Sequence, residues 1–179
     1  SDIDYMLSAC FNNIGELSDA MKYCNMVIEK DSSYSLSYSL RSSIFYNMGE
    51  MDSSICAINK YIEIAPEDAS GYYKLAFLNK FIERYDDAVD KITDAIILTK
   101  DYAPYLMERG VIYEKTGKKD LALQDYASVI KTDTLLKKSS TRHFALLRSG
   151  REQEAIDWLN KMVVMFPGSG MYYDAACFY

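Results

Sequence analysis

Histidine, cysteine and paired carboxylates are the side chains most often used for chemistry at neutral pH, and this sequence offers few of them in a useful combination. Its single histidine, His143, lies on a segment with helical periodicity and has no second base or nucleophile at a spacing that would make a dyad. It reads as a helix-packing residue. The cysteines, Cys10, Cys24, Cys56 and Cys177, form no CxxC pair, and with one histidine they complete no zinc quartet. They read as small buried or half-buried side chains in a reducing compartment, with a Cys10–Cys24 disulfide as the alternative. Gly117-Lys118-Lys119 lacks the glycine spacing and the hydroxyl of a phosphate loop; Gly168-Ser169-Gly170 follows a helix, lacks a third glycine and reads as a linker. No HExxH or GxSxG pattern is present. Asp86-Asp87 and Glu152, Glu154 and Asp157 fall where second helices begin, and there carboxylates meet the positive end of a helix dipole. No enzyme, no metal and no cofactor is expected.

Composition narrows what must position these residues. The 179 residues are 49% apolar and 26% charged, with only three prolines and eight glycines, a balance that favours long helices over turn-rich sheets, disorder or a disulfide scaffold. Twenty-six acids against twenty bases leave a formal net charge of −6, so nucleic acid is not the expected partner. No apolar run approaches about eighteen residues, and no membrane span is expected. The opening Ser1-Asp2-Ile3-Asp4 is acidic where a leader would be cationic. A start without Met points to a processed product or a piece of a longer chain. The cytoplasm is the favoured compartment, with secretion or the periplasm open if a leader was removed.

Self-similarity organises the chain. Gly15 and Gly49 lie 34 residues apart, Gly117 lies twice that distance beyond Gly49 with Glu83 at the intervening step, and Gly150 follows by 33. Each sits between two segments with apolar residues at three- and four-residue spacing, as in a helix, tight turn, helix unit. Small residues keep the beat: Ala20, Ser54, Ala88, Ala122 and Ala155 come five residues after the turn, and Ser8, Ser42, Ala76 and Gly110 seven before it. Two small surfaces can thus face each other. Phe11, Phe45, Tyr113 and Leu146, then Ile58, Ile92, Tyr126 and Leu159, are the expected knobs between the helices.

This pattern resembles the tetratricopeptide repeat (TPR) family, whose 34-residue signature spaces an aromatic, Leu-Gly, Tyr, Ala, Phe or Tyr, and Pro. The nearest unit runs from Tyr105 through Leu106, Gly110 and Tyr113 to Gly117, Ala122 and Tyr126. Tyr38, Tyr72 and Tyr173 match the opening aromatic, Pro66 and Pro167 the unit ends, and Pro104 the start of a first helix. Asn79 departs from the family tyrosine, His143 from the small residue, and Asp4 and Ser139 from the opening aromatic. The resemblance implies an all-α, right-handed superhelix, an α-solenoid of antiparallel helix pairs. It divides residues 1–179 into repeats at about 1–34, 35–68, 69–102, 103–135 and 136–169, with a partial first helix at 170–179. The apolar Ala175-Ala176-Cys177-Phe178-Tyr179 is what a cut within a longer solenoid would leave, and self-association through that end is the other way to cover it.

In that family the first helices line the concave wall, and the resemblance implies an inward stripe at repeat positions two, five, nine and twelve. Here it runs Asp2, Tyr5, Ala9, Asn12; Leu36, Ser39, Ser43, Tyr46; Ser70, Tyr73, Phe77, Lys80; Pro104, Met107, Val111, Glu114; and Lys137, Ser140, Phe144, Leu147, with Asn13, Asn47 and Arg148 beside it. The lysine and asparagine of a chaperone carboxylate clamp are missing from positions five and nine. Tyr73, Phe77, Met107, Val111 and Phe144 offer an apolar and aromatic patch instead, suited to a peptide or helix with apolar side chains; the alternative is that some of them pack on the adjoining repeat. Residues 1–68 carry eleven acids and four bases, and 69–179 fifteen acids and sixteen bases. The basic surplus of the fifth repeat, from Lys137, Lys138, Arg142, Arg148, Arg151 and Lys161, reads as a solvated face or as a guide for an acidic flank. The expectation is a non-catalytic protein-interaction scaffold. The alternatives are a targeting or regulatory segment of a larger enzyme, kinase or transcription regulator, and a self-assembling structural protein.

Overall fold

The computed structural model describes residues 2–132 and 141–165, and within them the secondary structure is helical throughout, without a strand. The helices are α1 (Asp2–Ile14), α2 (Leu17–Lys30), α3 (Ser35–Met48), α4 (Met51–Ile64), α5 (Ala69–Phe81), α6 (Tyr85–Thr99), α7 (Ala103–Lys115), α8 (Lys119–Thr132), α9 (Thr141–Arg148) and α10 (Glu152–Met165). Chain contacts divide the molecule between Leu98 and Thr99 into two compact units. The expectations that fall on Lys137, Lys138, Ser139, Ser140, Pro167, the 168–170 linker, Tyr173, Cys177 and the apolar end lie outside the described residues.

Every paired-helix turn closes in the same way. Gly15, Gly49, Gly117 and Gly150 have φ between 73° and 85°, and Glu83, the one non-glycine in the series, is forced to 62°. Each turn ends with an N–H reaching back five residues: Glu16 to the Phe11 carbonyl, Glu50 to Phe45, Arg84 to Asn79, Lys118 to Tyr113 and Arg151 to Leu146, at 2.8–2.9 Å. This bond satisfies a carbonyl that the helix end would otherwise orphan, and it requires a left-handed residue in between. First-helix starts are marked differently: the Asp68 carboxylate accepts from the Ser70 N–H at 2.8 Å, and Pro104 occupies the first turn of α7.

The small residues meet as their spacing requires. Ser8 Oγ donates to the Ala20 carbonyl at 2.7 Å, Ser54 Oγ donates to the Ser42 carbonyl at 2.8 Å, and the Ser42 and Ser54 hydroxyls lie 3.0 Å apart. A side chain at Gly110 would run into the Tyr126 ring, and His143, fully buried, lies near-parallel to Trp158 at 5.8 Å.

The knobs need one correction. Ile58, Ile92, Tyr126, Leu159 and Leu146 are buried, but Phe11, Phe45 and Tyr113 are only half-buried. In α3, α5 and α7 the large fully buried side chains are Ile44, Leu78 and Ile112, one residue earlier in their units. One residue is about 100° of helix, so the large rings lie on the shoulder of the packed face. Each core cluster draws on a helix pair and on the first helix that follows: Ala20 and Cys24 with Leu40 and Ile44, then Ile58 and Tyr61 with Leu75 and Leu78. Burial of one such aliphatic side chain is worth about 1.5–3 kcal/mol, so neighbouring helix pairs hold each other in place.

The cysteines also differ from expectation. Cys24 is buried and donates to the Ser37 carbonyl at 3.3 Å, and burial pushes its thiol up to about 11. Cys10 and Cys56 are exposed, and all three are free thiols, so no Cys10–Cys24 disulfide forms.

Candidate functional site

In the first unit, the stripe residues of α1, α3 and α5 come together through polar and ring contacts. Asn47 Nδ2 donates to Asn12 Oδ1 at 2.9 Å, joining α1 to α3, while Asn13 stands exposed beside them. Tyr46 meets Phe77 edge-on at 5.6 Å and Phe81 at 5.3 Å. Lys80 Nζ lies 5.8 Å from the Phe77 centroid. Phe77 and Phe81 remain 38% and 56% exposed, so the aromatic cluster is held from below and open above. Tyr73 is half-buried. Tyr5 serves packing, edge-on to Tyr34 at 5.7 Å and against the Ala20–Ile44 core.

Lys74 was not anticipated. Its ammonium donates to the Ser39 carbonyl at 2.9 Å, to Ser39 Oγ at 3.0 Å and to Ser43 Oγ at 2.8 Å, bridging α5 to α3. Burial pulls its pKa down, and among the described residues no carboxylate forms an ion pair with it. Phe81 was missed as well. Lys74, Phe77 and Phe81 follow at three and four residues, one helical face, so continuing that count past Phe77 would have found it.

In the second unit, α7 and α9 present Met107, Val111 and Leu147 half-buried and Phe144 40% exposed. Arg148 forms an ion pair with Glu114, tying α9 to α7, and a cleft of about 340 Å³ lined by both side chains and Lys119 opens beside it. Burial, then the Glu114 charge, pushes the Tyr126 phenol well above its ordinary value. Of the bases at this end, Arg151 is bidentate on Glu154 at 2.7 Å, and Arg142 donates to the Ile130 carbonyl. Among the described residues no group of three His, Cys, Asp or Glu could hold a metal ion, and no helix is long and apolar enough to cross a membrane.

Comparison with known proteins starts from α7 and α8, where a tetratricopeptide repeat family model matches residues 103–134. Among solved structures, TTC0263 from Thermus thermophilus, a thermophilic TPR protein, is 17% identical over 98% of this chain and 97% of its own, with a TM-score of 0.68. YrrB, described as a TPR protein with an unusual peptide-binding site, is 17% identical over 97% of this chain and 90% of its own, with a TM-score of 0.61. Residues 103–134 thus match a tetratricopeptide repeat, and the chain has the fold of TPR proteins. The structure is also similar to that of the MamA protein, at 20% identity over 90% of this chain and 89% of MamA, with a TM-score of 0.65. No curated protein matches the sequence. The TPR fold is that of protein-interaction scaffolds, generally non-catalytic, and its first helices in this chain carry polar cross-links among exposed aromatic side chains.

Proposed function

We propose that this TPR protein is a non-catalytic scaffold that captures a peptide or helix of a partner protein on a face formed by its first helices. The observation that carries the reading is the cluster of Tyr46, Phe77 and Phe81, open to solvent above and held by ring contacts below, with the Lys74 charge beside it. Partly exposed, immobilised rings bury large area at small ordering cost when a partner arrives. Leu and Phe side chains of the partner would lie on the rings, and an acidic residue nearby would answer Lys74, whose own unit is strongly acidic elsewhere. In the second unit Met107, Val111, Phe144 and Leu147 supply the corresponding apolar surface. The peptide-binding site attributed to YrrB supports the reading by analogy of fold.

The test is capture of partners from the native cell extract by the wild-type chain and by the Tyr73→Ala, Phe77→Ala, Phe144→Ala triple variant. These side chains are half-buried or exposed, so the helical circular dichroism of the variant stays near wild type. The reading expects the captured set to be lost; an unchanged set overturns it.

A further inference from the structure

Residues 1–68 carry four bases, Lys22, Lys30, Arg41 and Lys60, against eleven acids, yet two of those four line one cavity. It measures about 370 Å³, opens between α3 and α4, and is walled by Tyr38, Arg41 and Phe45 on one side and Cys56 and Lys60 on the other. Tyr38, Arg41 and Phe45 share a face of α3 about 100° round the helix from Ser39 and Tyr46, so this cavity is separate from the aromatic face described above.

The Arg41 guanidinium lies over the Phe45 ring, 5.5 Å from its centroid. Its Nε is buried without a hydrogen-bond acceptor, and among the described residues no carboxylate forms an ion pair with it. Buried N–H groups are almost always satisfied, and one that is not points to a missing partner. Lys60 shares its charge with Glu63 at 2.7 Å, which leaves the cavity with about one uncompensated positive charge, a match for a monoanion rather than a phosphate. A guanidinium held over a ring presents a fork that matches the two oxygens of a carboxylate, and the rings of Tyr38 and Phe45 leave an apolar floor. The volume lies within the range of about 300–1,000 Å³ typical of small-ligand sites.

We propose that this cavity binds a carboxylate carried on an aromatic body, with Arg41 taking the carboxylate, Lys60 adding attraction and Tyr38 and Phe45 holding the ring. The same chemistry is offered by a free aromatic acid and by a peptide ending in phenylalanine.

Cys56 reports occupancy, because it is exposed and lines the cavity, while Cys10 is exposed elsewhere. With the full 179-residue chain, alkylation by iodoacetamide is followed at both cysteines by peptide mass spectrometry, alongside the Arg41 Nε–H resonance. The probes are 4-phenylbutyrate, its neutral amide, and N-acetyl-Gly-Gly-Phe as free acid and as amide. Saturating acid slows Cys56 several-fold without changing Cys10 and shifts the Arg41 resonance, and each amide binds about tenfold more weakly, the loss of one charge-assisted contact. Protection by the tripeptide acid alone assigns the ligand to a chain terminus, and protection by phenylbutyrate alone assigns it to a free acid; both support the site. Arg41→Gln abolishes protection. Lys60→Gln, at an exposed position, weakens it about twofold to fivefold and so keeps the test open if Arg41→Gln unfolds. Equal protection by acids and amides, or no protection and no shift with either acid, overturns the proposal.

Discussion

Glu83→Gly is expected to stabilise the protein by relieving the left-handed backbone of its turn. Glu83 holds φ at 62° in a position where the four equivalent turns use glycine at 73–85°. A left-handed conformation costs an L-residue about 1–2 kcal/mol. Glycine removes that cost but returns about 0.4–1 kcal/mol through the larger freedom of the unfolded chain, leaving a net gain of about 0.5–1 kcal/mol. Glu83 is exposed and holds no ion pair among the described residues, so the substitution removes no compensating contact. The assay is urea unfolding followed by helical circular dichroism, comparing midpoints at constant m. Two controls separate backbone from side chain. Glu83→Ala, which still carries the cost of the left-handed turn, is expected to change stability little. Gly49→Ala, where an added Cβ meets nothing within 4 Å, is expected to cost about 1 kcal/mol through φ alone. If Glu83→Gly lowers the midpoint, or Gly49→Ala leaves it unchanged, a left-handed residue is not what these turns demand.

Further expectations rest on other parts of the core. Gly110→Ala places a Cβ about 3.0 Å from Cδ1 and Cζ of the fully buried Tyr126, and closer still to Cε1, so calorimetry should show a loss of about 1–3 kcal/mol from overpacking. Arg109 holds Asp125 bidentately at 2.7–2.9 Å with Asp125 only 7% exposed; Arg109→Met strands the carboxylate and should cost about 3 kcal/mol or more in urea unfolding. Cys24 should resist iodoacetamide in the native state while Cys10 and Cys56 react, measured by mass spectrometry. Because the folded Cys24 thiol is raised from an ordinary 9.0 to about 11, the folded protein keeps a proton the unfolded one loses. That contribution is fully present below about pH 9 and is lost as pH rises towards 11, so the urea midpoint should fall across that window and flatten there in Cys24→Ala.

The turns were the most legible feature of the sequence, because a glycine every 33 or 34 residues states a backbone requirement directly. Glu83 shows the stronger form of that signal: its residue type argues against a left-handed turn, and the register alone places it in one. Packing was legible to within one residue. Phe11, Phe45 and Tyr113 are the largest apolar side chains near the expected face, but size does not fix azimuth, and the narrower Ile44, Leu78 and Ile112 fit between helices already brought close by Ser42, Ala76 and Gly110. What went unread at the site was pairing between successive first helices. Asn12 and Asn47, Ser39 and Lys74, and Glu114 and Arg148 are separated by 34 or 35 residues, about one unit. In a stacked repeat, side chains one unit apart on one face meet, so opposite charges at that separation predict a cross-link rather than a free binding group. Applied along the chain, that rule removes Arg148, Asn12 and Asn47 from the groups freely offered to a partner. It removes the Lys74 ammonium too, which donates to Ser39 and Ser43, and leaves the exposed rings of Phe77 and Phe81. The recognition surface proposed above is therefore narrower than the stripe of first-helix residues, and it centres on the rings that the packing of the helices leaves exposed.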